Sequence, residues 1–474
     1  MSHRRTHRNI AITPLILFTL AATSPGASLA CAQEAIAIGS RLELLVDDNL
    51  VDRIEGDASL QLHRPEPREV VLVTDQPWEG NTCAYYSIFQ DGDLYRMYYR
   101  GSHYDTETKK ATHPEVTCYA ESRDGIQWTK PDLGLYEFAG SKHNNIVWNG
   151  VGTHCFTPFL DTNPDCDPQQ RYKAISRGRP QAEKGLYVFA SPDGIHWEQL
   201  SEKPVITDGD FDSQNLAFWD SVRGLYVDYH RKFIDGVRDI MMSTSSDFLH
   251  WSQPGRLNYT GAEREHLYTN AIRPYDRAPH ILLGFPTRYL PDSQQVAPTL
   301  MTSRDGLNFR RWPEVLIPLD APADRDGNRS NYMTYGLLQL PDSDRELSVY
   351  ATEAYYTGPD SRVRRFVYRV DGFVSLHAGE EGGAVTTKPL TFEGNRLVVN
   401  FAAAGGQLKV ELQDAEGDPI DGFTLDDCRP IEGDQIAAAV EWSGDGKLAD
   451  LAGKPIRLHL EVRDGDLYSF RFVD

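Results

Sequence analysis

Basic residues are scarce in this chain. Its 474 residues include 48 Lys and Arg against 69 Asp and Glu, a formal net charge of −21. A surface of that sign lacks the basic face of a nucleic-acid binder, so no nucleic-acid partner is expected. Long apolar runs are missing beyond the first thirty residues, which leaves no candidate for a helical membrane span in the body of the chain. Cysteines number six, and none has metal spacing such as C-x2-C. A sustained 3.6-residue apolar period is also absent, leaving little room for helix. What is plentiful is aromatic: 23 Tyr, 19 Phe and 8 Trp, a composition that suits β-sheets and stacking on flat ligands.

The first residues read as an export signal. Arg4, Arg5 and Arg8 precede an apolar stretch at 10–22, and Ala30-Cys31-Ala32 suits cleavage before Gln33. A signal peptide over 1–32 places the mature chain in the periplasm or outside the cell. Losing its three arginines takes the net charge to −24. Cys31 leaves a lipid anchor as a second option, and no other membrane contact is expected. Five cysteines then remain. The odd count implies at least one free thiol or pairing between chains. Cys155 and Cys166 could bridge one loop; the plainer reading is buried small hydrophobes.

One phrase recurs along the rest of the chain. It reads SRDGIQW at 122–128, SPDGIHW at 191–197, SSDFLHW at 245–251 and SRDGLNF at 303–309, with a worn copy at 370–373. The copies begin 69, 54 and 58 residues apart. Ser and Asp side chains cap tight turns, Gly supplies a positive φ, and Trp packs between sheets, so the phrase reads as structural. Strand-rich text fills each interval, for example 82–90, 94–100 and 116–122 around the Asp91-Gly92 turn. A period near 60 of this kind predicts an all-β chain with a five-bladed β-propeller at 33–377. The segment 40–64 is expected to supply a strand that closes the ring against the last blade. From 386 to 474, short alternating strands separated by Asp-Gly and Gly-Asp turns predict a small C-terminal β-sandwich.

In a propeller, polar residues ahead of the innermost strands converge on one axis. That rule picks Trp78, Glu79 and Asn81 before the first blade and His154 before the second, with Asp161 at that strand's far end. It picks Asp212 before the third blade, Glu265 before the fourth, and Arg329 and Asn331 before the fifth. Neighbouring strands add Arg100, Arg177, His230, Arg231, Arg288 and Glu353. Glycoside hydrolysis needs one carboxyl to protonate the leaving oxygen and another to attack or to activate water. Glu79, Asp212 and Glu265, on three different blades, are the candidate catalytic carboxylates. Trp78, Asn81, His154, Asp161, His230, Arg231, Arg288 and Glu353 are candidates for substrate binding. Each has a plainer reading as a loop acid, a salt bridge or core.

The repeated turns, the five expected blades and the trailing β-sandwich together resemble the five-bladed propeller glycoside hydrolases, the arabinanase/xylosidase and invertase/levanase groups. That resemblance implies an active site at one end of the axis, with an acid from each of three blades. It implies no cofactor; an axial calcium, which some members of these groups carry, is the one option, and His154 could serve it. It implies a poly- or oligosaccharide substrate. The invertase-type N-D-P-N-G, R-D-P and E-C signatures are missing, which argues against fructan hydrolysis. The alternatives are a non-catalytic carbohydrate-binding propeller and a protein-interaction scaffold.

Overall fold

The structure is a computed structural model that describes residues 34–322 and 331–474. The expected signal peptide and Arg329 lie outside the described residues. Within them the chain is nearly all β, and its only helical pieces are the 3-10 turns Pro168–Gln170 and Leu448–Leu451.

Five consecutive antiparallel strand groups make up most of the chain. The first contains Ala84–Asp91, Leu94–Gly101, Val116–Ser122 and Trp128–Thr129. The second contains Thr157–Leu160, Tyr172–Arg177, Leu186–Ser191 and Glu198–Gln199. The third contains Leu216–Asp220, Leu225–Ile234, Val237–Ser245 and Gly255–Arg256. The fourth is built on Arg273–Tyr275, Ala278–Gly284, Leu300–Ser303 and Asn308–Trp312, and the fifth on Tyr332–Leu338, Glu346–Glu353 and Arg362–Arg369. Contacts pass from each group to the next. Ser87 Oγ donates to the Pro158 carbonyl, Asn215 Nδ2 reaches Cys155 Sγ, and Ser213 Oγ donates to the Tyr268 carbonyl. The Tyr268 and Tyr332 rings lie 5.8 Å apart, and Tyr335 pairs with Ser87 of the first group. At one end, a cleft of about 720 Å³ is lined by residues of all five groups, among them Phe89, Phe159, Trp219, Arg273 and Tyr335.

The recurring phrase forms the same turn four times. In the first copy, Ser122 Oγ accepts the N–H groups of Asp124 and Gly125, and Asp124 Oδ1 accepts those of Ile126 and Gln127. The copies at 191, 245 and 303 repeat the pattern. Local capping of this kind fixes the turn without help from the rest of the fold. Neighbouring groups then grip it. Tyr98, Tyr229 and Tyr350 donate their hydroxyls to the carbonyls of Gly194, Gly306 and Gly125. The third copy differs: Phe248 holds the glycine position at φ +69° with its ring fully buried. The strand position that carries Tyr98 in group one and Tyr229 in group three carries Ile175 in group two. Phe248 and Ile175 belong to the same apolar cluster. The worn copy is put to another use, since Asp371 accepts hydrogen bonds from Tyr275, Arg277 and Ser469.

The closing strand is a correction. It is Glu66–Val73, paired antiparallel with Arg362–Arg369, rather than a strand within 40–64. The strands of that earlier segment join the C-terminal part. Glu43–Leu44 pairs with Gly465–Val473, Val51–Gly56 with Gly383–Thr387, and Ser59–Leu62 with Val374–Ala378. The 19-residue strand Arg396–Asp414 organises this region. Its first half pairs with Gly465–Val473 and its second half with Ile456–Arg463. The register breaks between Ala402 and Gln407, where the strand passes Gly405 and Gly406. Leu397, Val399, Phe401, Leu408, Val410 and Leu412 alternate into a core of their own. Residues 35–474 form one compact unit.

Candidate functional site

At the end of the five groups opposite the cleft, the residues leading into the innermost strands meet. His154 and Asp212 come from the loops before the second and third groups. Tyr85, Tyr268 and Tyr332 stand at the entries to the first, fourth and fifth. The Tyr85 ring lies 5.6 Å from the His154 ring, and Tyr332 lies 5.7 Å from Tyr355.

Three arginines arrive at this opening by register. Arg100, Arg177 and Arg231 each sit in the second strand of their group, paired with Thr117, Leu186 and Ile240. Each of those partners stands five residues before the turn serine, Ser122, Ser191 or Ser245. The strand alternation that seats the repeated turn therefore sends an equivalent side chain of each group to one place.

The centre is a relay of two carboxylates across a histidine. Asp212 Oδ1 lies 2.9 Å from His154 Nε2 and 2.8 Å from an Nη of Arg177. On the other side of the ring, His154 Nδ1 lies 2.9 Å from Glu115 Oε2. Arg100 stands 3.6 Å from Glu115 and donates to the Thr82 carbonyl and the Tyr355 hydroxyl. The Asp212 side chain is 55% exposed, so it faces the opening. The hydrogen bond to His154, more than opposing burial, holds the Asp212 carboxyl well below the usual range, with Arg177 and Arg231 adding to the effect. Burial would raise Glu115; the hydrogen bond to His154 and the charges of Arg100 and Arg177 outweigh it and bring the carboxyl down to about 2. Both carboxylates are therefore ionised near neutral pH. The same arginines disfavour a cation, and no cluster of three or more His, Cys, Asp or Glu with metal-binding geometry occurs among the described residues.

The expected trio of acids is not assembled. Glu79 is buried, with its carboxylate between the Tyr99 hydroxyl, Lys130 Nζ at 2.6 Å and the Gln76 N–H. Glu265 is clamped by Arg288 and Arg311, the latter from the outer strand of group four. Of the three, Asp212 alone faces the opening. Among the residues expected to bind substrate, His154 and Arg231 are at this opening. Arg288 is spent on Glu265, and Glu353 on Arg362 and Arg364. Asp161 is buried against Lys173 Nζ at 2.5 Å and the Tyr226 hydroxyl at 2.6 Å. His230 is wholly buried between Asp228 and the Asp208 carbonyl. Trp78 packs edge-on to Phe138 and donates to Asn145. Asn81 ties the loops at Tyr104 and Gly358 together. In each case burial next to a ready partner decided the outcome. Cys155 and Cys166 are both free thiols.

Glu115 was missed. It opens a third strand, one residue ahead of Val116–Ser122, so a rule confined to innermost strands passes over it. Its signal was proximity in register, because Thr117 two residues on is the partner of Arg100.

Comparison with known proteins adds little at the level of sequence. No family model matches. An uncharacterized protein of Mycobacterium tuberculosis, Rv1502, is 29% identical over 121 residues, which is 26% of this chain and 35% of that protein. The match thus takes in about a third of that relative's length. Glycoside hydrolases and a phosphorylase are among the similar solved structures. A β-1,2-mannobiose phosphorylase from Listeria innocua has a TM-score of 0.47 at 12% identity, covering 66% of this chain and 97% of its own. An N-acetylgalactosamine deacetylase from F. plautii has a TM-score of 0.45 at 11% identity, covering 66% and 96%. A β-fructofuranosidase of Bombyx mori has a TM-score of 0.42 at 8% identity, covering 87% and 94%. Likeness at this level assigns neither an activity nor a substrate to this chain.

Proposed function

We propose that this chain is an exported glycoside-cleaving enzyme. In this reading, a five-bladed propeller within 33–377 carries the active site and a β-sandwich over 386–474 follows it, joined by the strands of 43–62 and 374–387. The substrate is a poly- or oligosaccharide bound at the axial opening. The observation that carries the proposal is the Asp212–His154–Glu115 relay, with Asp212 exposed, beside the rings of Tyr85, Tyr268, Tyr332 and Tyr355. Tyrosine faces suit the apolar faces of sugar rings. Asp212, ionised and exposed, suits a nucleophile or the base for an attacking water. Among the described residues no carboxyl at this site is held protonated, so the proton for the leaving oxygen falls to His154, which touches both carboxylates. No cofactor enters the scheme.

That same ionised pair favours a second reading, a carbohydrate-binding site without catalysis. A thermal-shift and product screen over a broad glycan panel separates the two, using wild type, Asp212→Asn and His154→Gln. The enzyme reading expects released sugar from wild type, with binding kept and cleavage lost in Asp212→Asn. Stabilisation by glycans without any product supports the binding reading. No stabilisation by any glycan, and no product, refutes both.

A further inference from the structure

Among the described residues, most buried and half-buried arginines are matched to carboxylates. Arg311 meets Glu265, Arg304 meets Glu43 and Asp47, and Arg364 meets Glu353. At the opening, Arg177 meets Asp212 and Arg100 stands beside Glu115. Two arginines there are not matched in this way. Arg231 is 5% exposed, and its Nε donates to the Asp210 carbonyl, while the Asp210 carboxylate is taken by Lys184 and the Phe233 N–H. Among the described residues, its two terminal nitrogens have no hydrogen-bond acceptor. Among the described residues the Arg238 guanidinium hydrogen-bonds only His266 Nδ1, at 3.4 Å, and its buried Nε is without a hydrogen-bond partner.

The two guanidinium groups share a pair of aromatic rings. Arg231 lies 5.0 Å from the Tyr268 centroid and 5.4 Å from that of Phe233. Arg238 lies 5.4 Å from Tyr268, 5.0 Å from Phe233 and 4.2 Å from Tyr289. Stacking fixes the plane of a guanidinium and strips water from its face, leaving its edge to take an oxyanion. Two like charges around the same rings repel each other until an anion neutralises them. In a chain of net charge −21, a pair of arginines with no salt bridge to a described carboxylate is out of keeping with the rest of the surface.

We infer that Arg231 and Arg238 form a subsite for an anionic group carried on the sugar, a carboxylate or a sulfate ester, next to Asp212. The preferred substrate is then an acidic glycan, such as one containing uronic acid. This inference rests on the carbohydrate reading above.

The test uses the full mature chain and matched probes: oligogalacturonates against their methyl esters, and galactose 6-sulfate against galactose. Binding is followed by calorimetry and thermal shift at two salt concentrations. Wild type is expected to prefer the charged member by about tenfold, with the preference falling as salt rises. Arg231→Met and Arg238→Met should each erase most of that preference and keep affinity for the neutral member. Arg231→Lys, which keeps the charge, is the control for a variant that fails to fold. Equal binding of charged and neutral members by wild type overturns the inference and leaves the carbohydrate reading standing. Binding of neither member of any pair, in a protein that also ignores the wider glycan panel, overturns both. Release of sugar 1-phosphate from neutral glycans with inorganic phosphate would show that the subsite takes a free anion, and would also overturn the inference.

Discussion

Replacing Glu115 by Gln gives a test of the relay that needs no substrate. Glu115 is the more enclosed of the two carboxylates, with a side chain 23% exposed. Its carboxyl is lowered in the folded protein from 4.5 to about 2. A lowered carboxyl contributes stability that is complete above the unfolded value and is lost as pH falls toward the folded value. A shift of that size corresponds to roughly 3 kcal/mol near neutral pH, an upper figure because solvent reaches part of the group. By the same linkage the contribution drops to about 1.5 kcal/mol at pH 3. Glu115→Gln keeps the shape and removes the charge. Urea unfolding of wild type and variant should therefore differ most at pH 7, with the gap closing by about half between pH 5 and pH 3. Tryptophan fluorescence is a suitable probe, since Trp78, Trp148 and Trp197 lie in the first two groups. A gap that stays constant from pH 7 to pH 3, or no gap at all, would refute the ionised relay.

Two further outcomes test the assignment of roles. Phe248→Gly relieves a positive φ worth on the order of 1 kcal/mol, but removes a buried ring worth about 3–5 kcal/mol. That ring packs on Phe159, Tyr226 and Trp251, so a net loss of about 2–4 kcal/mol in chemical unfolding is expected, and equal or greater stability would show that the glycine was the better fit. Glu79→Gln should lower stability by roughly 2 kcal/mol through the weakened Lys130 and Tyr99 contacts. It should leave glycan cleavage per folded molecule within about threefold of wild type. Complete loss of cleavage in a well-folded Glu79→Gln protein would return that residue to the reaction.

Local order was legible in the sequence. Each Ser-x-Asp turn is capped by its own side chains, so four copies announced themselves and their spacing marked out the strand groups. The same spacing carried Arg100, Arg177 and Arg231 to equivalent places, because strand alternation is a local rule. Which charges meet was not a local matter. Glu79, Asp212 and Glu265 all precede innermost strands, yet Lys130 and Arg311, distant in sequence, bury the first and clamp the last. A carboxylate near a fixed cation is drawn to it over a few ångströms, and only the packed chain sets those distances. The partner of the last strand of group five was settled in the same way. The 40–64 segment has the alternation of a strand partner, but it found its partners in the C-terminal sheet, and Glu66–Val73 took the edge of group five. Sequence thus determined the repeated turn, the strands and the shared register. Tertiary packing alone decided that Asp212 stays open to solvent and that Glu115 stands behind it across His154.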